Sequence, residues 1–127
     1  MRVLLDTHAF IWWFEDARRL TAGARSAIAD ADDVFLSVAS CWELAIKVGN
    51  GKLTLAKPIE QLVPEQLRLN SFRLLQIDLD DVTRVATLPL HHRDPFDRLL
   101  AAQALSEELT IVSADPVFRK YGVKRIW

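Results

Sequence analysis

One cysteine, one tyrosine and one methionine are all that the 127 residues contain of those types. Cys41 has no second cysteine to pair with, which excludes an internal disulfide, and no Cys/His spacing suits zinc. A reducing compartment such as the cytoplasm fits that lone thiol. Glycine (four) and proline (five) are scarce and scattered, and no linker, repeat or low-complexity segment interrupts the chain. Nor is there a charge excess. Sixteen Lys and Arg against seventeen Asp and Glu leave −1, which counts against a bulk electrostatic nucleic-acid binder and leaves local basic patches and bound metal as the means of meeting phosphate. No apolar run is long enough to cross a bilayer. Ala9–Phe14 follows Asp6 and His8 and lacks the basic start and small-residue cleavage site of a signal peptide. The chain therefore reads as a cytoplasmic, soluble protein without membrane partners.

What is present is an ordinary globular mix, half apolar and about a quarter charged, in a length that suits one domain spanning residues 1–127. Short apolar runs alternate with longer helical stretches. Val3–Leu5, Val34–Leu36, Arg73–Ile77, Leu109–Ser113 and Val123–Ile126 read as strands. Between them lie helices at Thr7–Phe14, from Thr21 through Ala29, from Ser37 to Gly49, from Pro58 with a break at Pro64, over Asp80–Leu88, from Asp94-Pro95 to about Leu105, and briefly after Pro116. Cys41, Leu44, Ala45 and Val48 share one helical face. Pro95 is preorganised for a first helical position. Strands separated by helices predict parallel pairing with right-handed crossovers, an α/β domain with helices on both faces of the sheet.

In such sheets ligands bind beyond the carboxyl ends of the strands, where strand order reverses. Four acids are placed for that edge. Asp6 follows the first strand, Glu43 lies on the helix after the second, Asp97 in the first turn of the long helix before the fourth, and Asp115 just past the fourth. Magnesium and manganese prefer carboxylate oxygens. Gathered carboxylates repel one another, which raises some of their pKa values unless a cation intervenes. One or two such metals would activate a water for attack on a phosphodiester and stabilise the leaving oxygen.

Each acid also has an ordinary reading. Asp6 and Asp115 suit helix caps. Glu43 suits a capping box with Ser40, or an i,i+4 pair with Lys47. Asp97 suits the positive end of its helix dipole, and Asp94 an N-cap before Pro95. Caps alone do not explain why four acids fall at one edge.

The motifs themselves resemble a known family. Val3-Leu4-Leu5-Asp6-Thr7-His8 resembles the opening of a PIN domain, and Ser37-x-x-Ser40-x-x-Glu43 its second acidic motif. Asp94-Pro95-Phe96-Asp97-Arg98-Leu99-Leu100-Ala101-Ala102-Gln103-Ala104 is similar to the corresponding segment of VapC-type toxins, and Ile111-Val112-Ser113-Ala114-Asp115 to the closing motif. The resemblance runs over essentially the whole chain. It implies a five-stranded parallel sheet of order 3-2-1-4-5 and an RNA endonuclease dependent on Mg²⁺ or Mn²⁺, leaving 5′-phosphate and 3′-hydroxyl ends. It further implies the toxin of a type II toxin–antitoxin pair, held inactive by a cognate antitoxin. The family's acids fall on Asp6, Glu43, Asp97 and Asp115, and its accompanying hydroxyls on Thr7 and Ser113.

Arg98, beside Asp97, reads as a phosphate or carboxylate clamp, or as a structural ion pair. Arg93, Arg119, Lys120, Lys124 and Arg125 read as RNA phosphate contacts or as a solvated face. His91 and His92 precede the long helix and read as loop residues. Phe10, Ile11, Trp12, Trp13 and Phe14 make the first helix apolar nearly all round, so it reads either as an interface for a homodimer or antitoxin or as a helix covered by its neighbours. Two rival functions remain: a catalytically silent PIN-like binding module, and a Mg²⁺-dependent phosphoacceptor domain, which usually wants paired acids where Asp6 stands alone.

Overall fold

The computed structural model describes residues 1–91 and 93–127; the His92 reading lies outside them. Five strands, β1 (Arg2–Leu5), β2 (Asp33–Ser37), β3 (Arg73–Leu75), β4 (Thr110–Val112) and β5 (Arg125–Ile126), form one sheet in the order β3-β2-β1-β4-β5. Every pairing is parallel, with Leu5 level with Leu36 on one side and with Val112 on the other. The chain moves outward from β1 through β2 to β3, then returns to β4 on β1's opposite side. The reversal therefore sits at the β1–β4 boundary, where a crevice is expected.

The helices are α1 (Thr7–Phe14), α2 (Ala22–Asp30), α3 (Val38–Gly49), α4 (Ile59–Asn70), α5 (Leu79–Arg84), α6 (Pro95–Glu107) and α7 (Val117–Lys120), with a 3₁₀ turn at Val85–Thr87. Alternation along the strands divides the core in two. Val3, Leu5, Val34, Leu36 and Val112 pack with residues of α1, α2 and α4. Leu4, Phe35 and Ile111 face the other way, onto Leu100, Ala101 and Ala104 of α6 and Phe118 of α7. Both faces of the sheet are thus covered, as a parallel sheet requires. No helix among the described residues is long and apolar enough to cross a membrane.

Two local expectations are corrected, and one alternative gains support. Pro64 does not break α4. It is exposed and lies inside one continuous helix, where the carbonyl it leaves unbonded can meet water. β3 ends at Leu75 rather than Ile77, because the Gln76 carbonyl turns to accept from Gln103 Nε2 at 3.1 Å. The apolar α1 packs against its own chain. Phe10 and Ile11 are buried, Trp12 packs against Trp127 at 5.6 Å, Trp13 against Phe72 at 5.9 Å, and Phe14 edge-on against Phe10 at 5.2 Å. Trp13 also donates Nε1–H to Asn70 Oδ1 at 3.1 Å. Its own chain thus covers part of this apolar helix, with Trp12, Trp13 and Phe14 left half-buried.

α6 ends in two acids, Glu107 and Glu108. Glu108 is the C-cap in the left-handed region (φ 55°), donating its N–H to the Ala104 carbonyl. Arg2 Nη1 donates to the Glu107 carbonyl at 3.1 Å, setting a cation against the negative end of the helix dipole. A glycine fits this backbone without a Cβ penalty. Glu108→Gly should raise stability by about 1 kcal/mol, measured as a higher urea midpoint with unchanged slope; an unchanged or lowered midpoint would show that the Glu108 side chain contributes more than its backbone costs.

Candidate active site

β1 is the central strand, and its last residue is followed by Asp6, whose amide donates to the Val112 carbonyl at 3.1 Å. Asp6 is therefore fixed at the carboxyl edge between β1 and β4. Its Oδ1 accepts the Ala9 N–H at 2.7 Å and so caps α1. The carboxylate is also hydrogen-bonded by Ser113, at the end of β4. Ser113 Oγ in turn accepts the Asp115 N–H at 3.0 Å. Asp115 Oδ1 accepts from the Val117 amide at 2.9 Å, ahead of α7. One buried hydroxyl thus links the acid after β1 to the backbone of the acid after β4.

A second hydroxyl does the same on the other side. Thr7 donates Oγ1–H to Glu43 Oε1 at 2.6 Å, and Lys47 lies 3.0 Å from Glu43 Oε2. The i,i+4 pairing is present, whereas the Ser40 capping box is not. The cap of α3 is Ser37, whose Oγ accepts from Ala39 N–H at 3.0 Å. Ser40 lies inside the helix, one turn before Glu43, buried and with a hydroxyl that has no hydrogen-bond partner among the described residues. Asp94 is the N-cap of α6, Oδ1 accepting from Phe96 N–H at 2.8 Å and Asp97 N–H at 3.3 Å. It sets the turn from which Asp97 projects.

Asp97 lies within electrostatic reach of the other acids. Asp97 is pushed up to about 7, first by burial and then by the charges of Asp94, Asp6, Glu43 and Asp115. Asp6 is also raised, chiefly by burial, against the lowering effect of Ser113, the Ala9 amide and His8 and with a further push from Glu43. Among the described residues no three Asp, Glu, His or Cys side chains are already drawn into a chelating set. Cap and hydroxyl bonds engage several of their oxygens. The donors are nonetheless all hard oxygens, carboxylates with two hydroxyls between them, and their burial penalises the unneutralised anions. That donor set fits a hard divalent cation such as magnesium or manganese.

Arg98 is placed differently from its expected role. Its guanidinium donates to the carbonyls of Val85, Leu88 and Pro89 at 2.9–3.3 Å and to the Tyr121 hydroxyl at 3.3 Å. It ties the loop before α6 to α7, with His91 stacked edge-on against Tyr121 at 5.3 Å. Arg125 Nη1 donates to the Ser113 carbonyl at 2.8 Å and so braces the end of β4. Gln103 was not anticipated. It is fully buried, receives Ser37 Oγ–H on Oε1 at 2.5 Å, and reaches Gln76, locking α6 to the ends of β2 and β3. A lone polar residue among Leu100, Ala101 and Ala104 on a buried face was the available signal.

The buried acids also set a pH dependence. Between the ordinary value of 3.8 and about 7, folded Asp97 keeps a proton that the unfolded chain has released. Stability is then lost as pH rises through that window. In metal-free buffer the wild type should lose urea resistance relative to Asp97→Asn as pH is raised from 4 to 7, with the gap levelling off above; parallel stability curves would show that Asp97 is not held in its neutral form.

The same organisation is found in known proteins. Ribonuclease VapC22 of Mycobacterium tuberculosis is 30% identical over 120 residues, 94% of this chain and 91% of that protein. The crystal structure of VapBC2 from Rickettsia felis bound to a promoter DNA fragment superposes with TM-score 0.70 at 14% identity, covering 98% of this chain and 97% of the matched one. A toxin–antitoxin complex from Klebsiella pneumoniae gives 0.59 at 18% identity over 89% and 86%. The PIN domain model matches residues 3–124, from the first strand through all four acids almost to the last strand. This chain belongs to the PIN domain family, in its VapC branch.

Proposed function

We propose that this protein is a divalent-metal-dependent endoribonuclease, the toxin of a type II toxin–antitoxin pair. The observation that carries the reading is the placement of Asp6, Glu43 and Asp115 close enough to Asp97 to act on its charge, with Asp6 and Asp115 just past the ends of β1 and β4 at the sheet's reversal point. Binding alone gives no reason to gather buried carboxylates at such cost. The likeness to a ribonuclease over nearly the full chain supports the same reading, and a neighbour solved as a toxin–antitoxin complex supports an antitoxin partner. The proposed assembly also includes a homodimer.

In this mechanism the four carboxylates would hold Mg²⁺ or Mn²⁺, and the chemistry such an ion would supply is the acidification of a water and charge to stabilise the phosphate. Asp6 is the fixed point, held by α1 and Ser113. Thr7 and Lys47 orient Glu43 through separate oxygens. Asp94 orients the first turn of α6, so Asp97 faces the shared site as part of a helix start rather than a loose loop. Ser113 keeps Asp6 and Asp115 in register across two strands. Arg98 serves by fixing the loop ahead of α6 rather than by touching phosphate. Such oriented ligands lose little freedom when a cation and substrate arrive.

The test is cleavage of total cellular RNA by antitoxin-free protein with Mg²⁺, with Mn²⁺ and with EDTA. Asp6→Asn and Asp97→Asn should each lower the metal-dependent rate by at least roughly a hundredfold while staying folded, with a thermal midpoint no lower than wild type. Near wild-type cleavage by either variant would refute the assignment. Thr7→Val, which removes the hydroxyl from Glu43, should cost roughly 10–100-fold in metal affinity or rate; equal metal titrations would show that Glu43 needs no such support.

A further inference from the structure

A groove of about 450 Å³ opens directly beside the acids, between α3 and the start of α6. Glu43 and Asp94 form part of its wall, with Lys47, Lys52, Arg93 and Phe96. Lys52 and Arg93 are exposed. Phe96 is half-buried and stacks edge-to-face on Trp42, with centroids 5.3 Å apart. Trp42 is 58% exposed, on the same helix as Glu43 and the residue immediately before it. The other three tryptophans are packed against the hydrophobic core, so this indole is the one that core packing leaves to solvent.

We infer that this groove binds the nucleotide flanking the scissile phosphate in single-stranded RNA, with Trp42 and Phe96 as the base-stacking platform and Lys52 and Arg93 as contacts to the adjoining phosphates. The inference rests on the nuclease reading of the carboxylate group, and it adds the substrate subsite that reading lacks. Three features favour a nucleotide as the occupant. The groove shares Glu43 and Asp94 with the acidic site, so a strand whose phosphate lies at the acids has a neighbouring nucleotide within reach of the groove. Phe96 in its wall, with the exposed Trp42 stacked on it, offers a π-face that any unpaired base can use, and stacking of that kind tolerates sequence. Its outer cations are the charges that a phosphate backbone pairs with, while the near-neutral chain provides no general attraction. A paired helix cannot offer an unstacked base to such a platform, which selects single strands and loops.

The experiment measures binding of a short, unstructured, fluorescein-labelled oligouridine RNA in EDTA, where turnover does not enter. Anisotropy is recorded for wild type, Trp42→Ala, Trp42→Phe and the Lys52→Ala/Arg93→Ala double variant, each checked for an unchanged thermal midpoint. Trp42→Ala should weaken binding by roughly tenfold, and Trp42→Phe should restore most of it. The double variant should flatten the dependence of log affinity on log salt by about 1.4. If Trp42→Ala binds as tightly as wild type, the proposal is overturned, and a loss confined to antitoxin binding would reassign the groove to a protein contact. If the RNA binds in a Trp42-dependent way but the protein cleaves no RNA with any metal, the groove stands and the nuclease reading fails.

Discussion

The cost of keeping carboxyl groups buried beside one another is the constraint on which the site's arrangement depends. Asp6, Glu43, Asp97 and Asp115 come from four separate stretches of chain, and burial alone raises the free energy of ionising Asp6 and Asp97. A loose arrangement would let the carboxylates move apart into water. They are held because each is tied to a rigid element: Asp6 to the start of α1, Glu43 to the body of α3, Asp97 to the first turn of α6, and Asp115 to the turn after β4. The parallel sheet makes this possible by sending all its strand ends to one side.

The groups that hold the acids are mostly neutral. Thr7 and Ser113 lie next to or near the acids in sequence, yet each serves an acid from a different element. Lys47 is the charged exception, neutralising Glu43 at a distance that also leaves it at the wall of the adjacent groove. Behind this layer, Gln103 and Arg98 fix α6 from two sides, one through the strand ends and the other through the preceding loop. Positioning is thus distributed over two shells, and the proposed chemistry needs only the inner one to carry charge.

Much of the architecture was legible because it depends on periodicity and on capping residues. Thr7–Phe14 was read to the residue, and Ser37 and Thr21 were recognisable as caps. Strand order followed from the resemblance rather than from local pattern, since nothing in a short apolar run says which neighbour it pairs with. Glu43 was harder, because Ser40-x-x-Glu43 mimics a capping box; only the tertiary contact with Thr7 distinguishes the two. The partners of Arg98 were hard to read for a related reason. A guanidinium next to an aspartate in sequence invites an electrostatic reading, but on a helix adjacent residues diverge by about 100°, and its head went to backbone carbonyls. The coverage of Trp12 by Trp127 joins residues from opposite ends of the chain, a contact that no window of sequence can reveal.

The double employment of Asp6, both terminating a helix's free N–H groups and belonging to the acidic site, bears on how such a chain can change over generations. Asparagine keeps the cap and discards the negative charge, whereas alanine or valine loses both and weakens α1. Drift away from the proposed chemistry is therefore not equally open in all directions. A lineage released from selection on activity meets least resistance at asparagine, and retains a folded body.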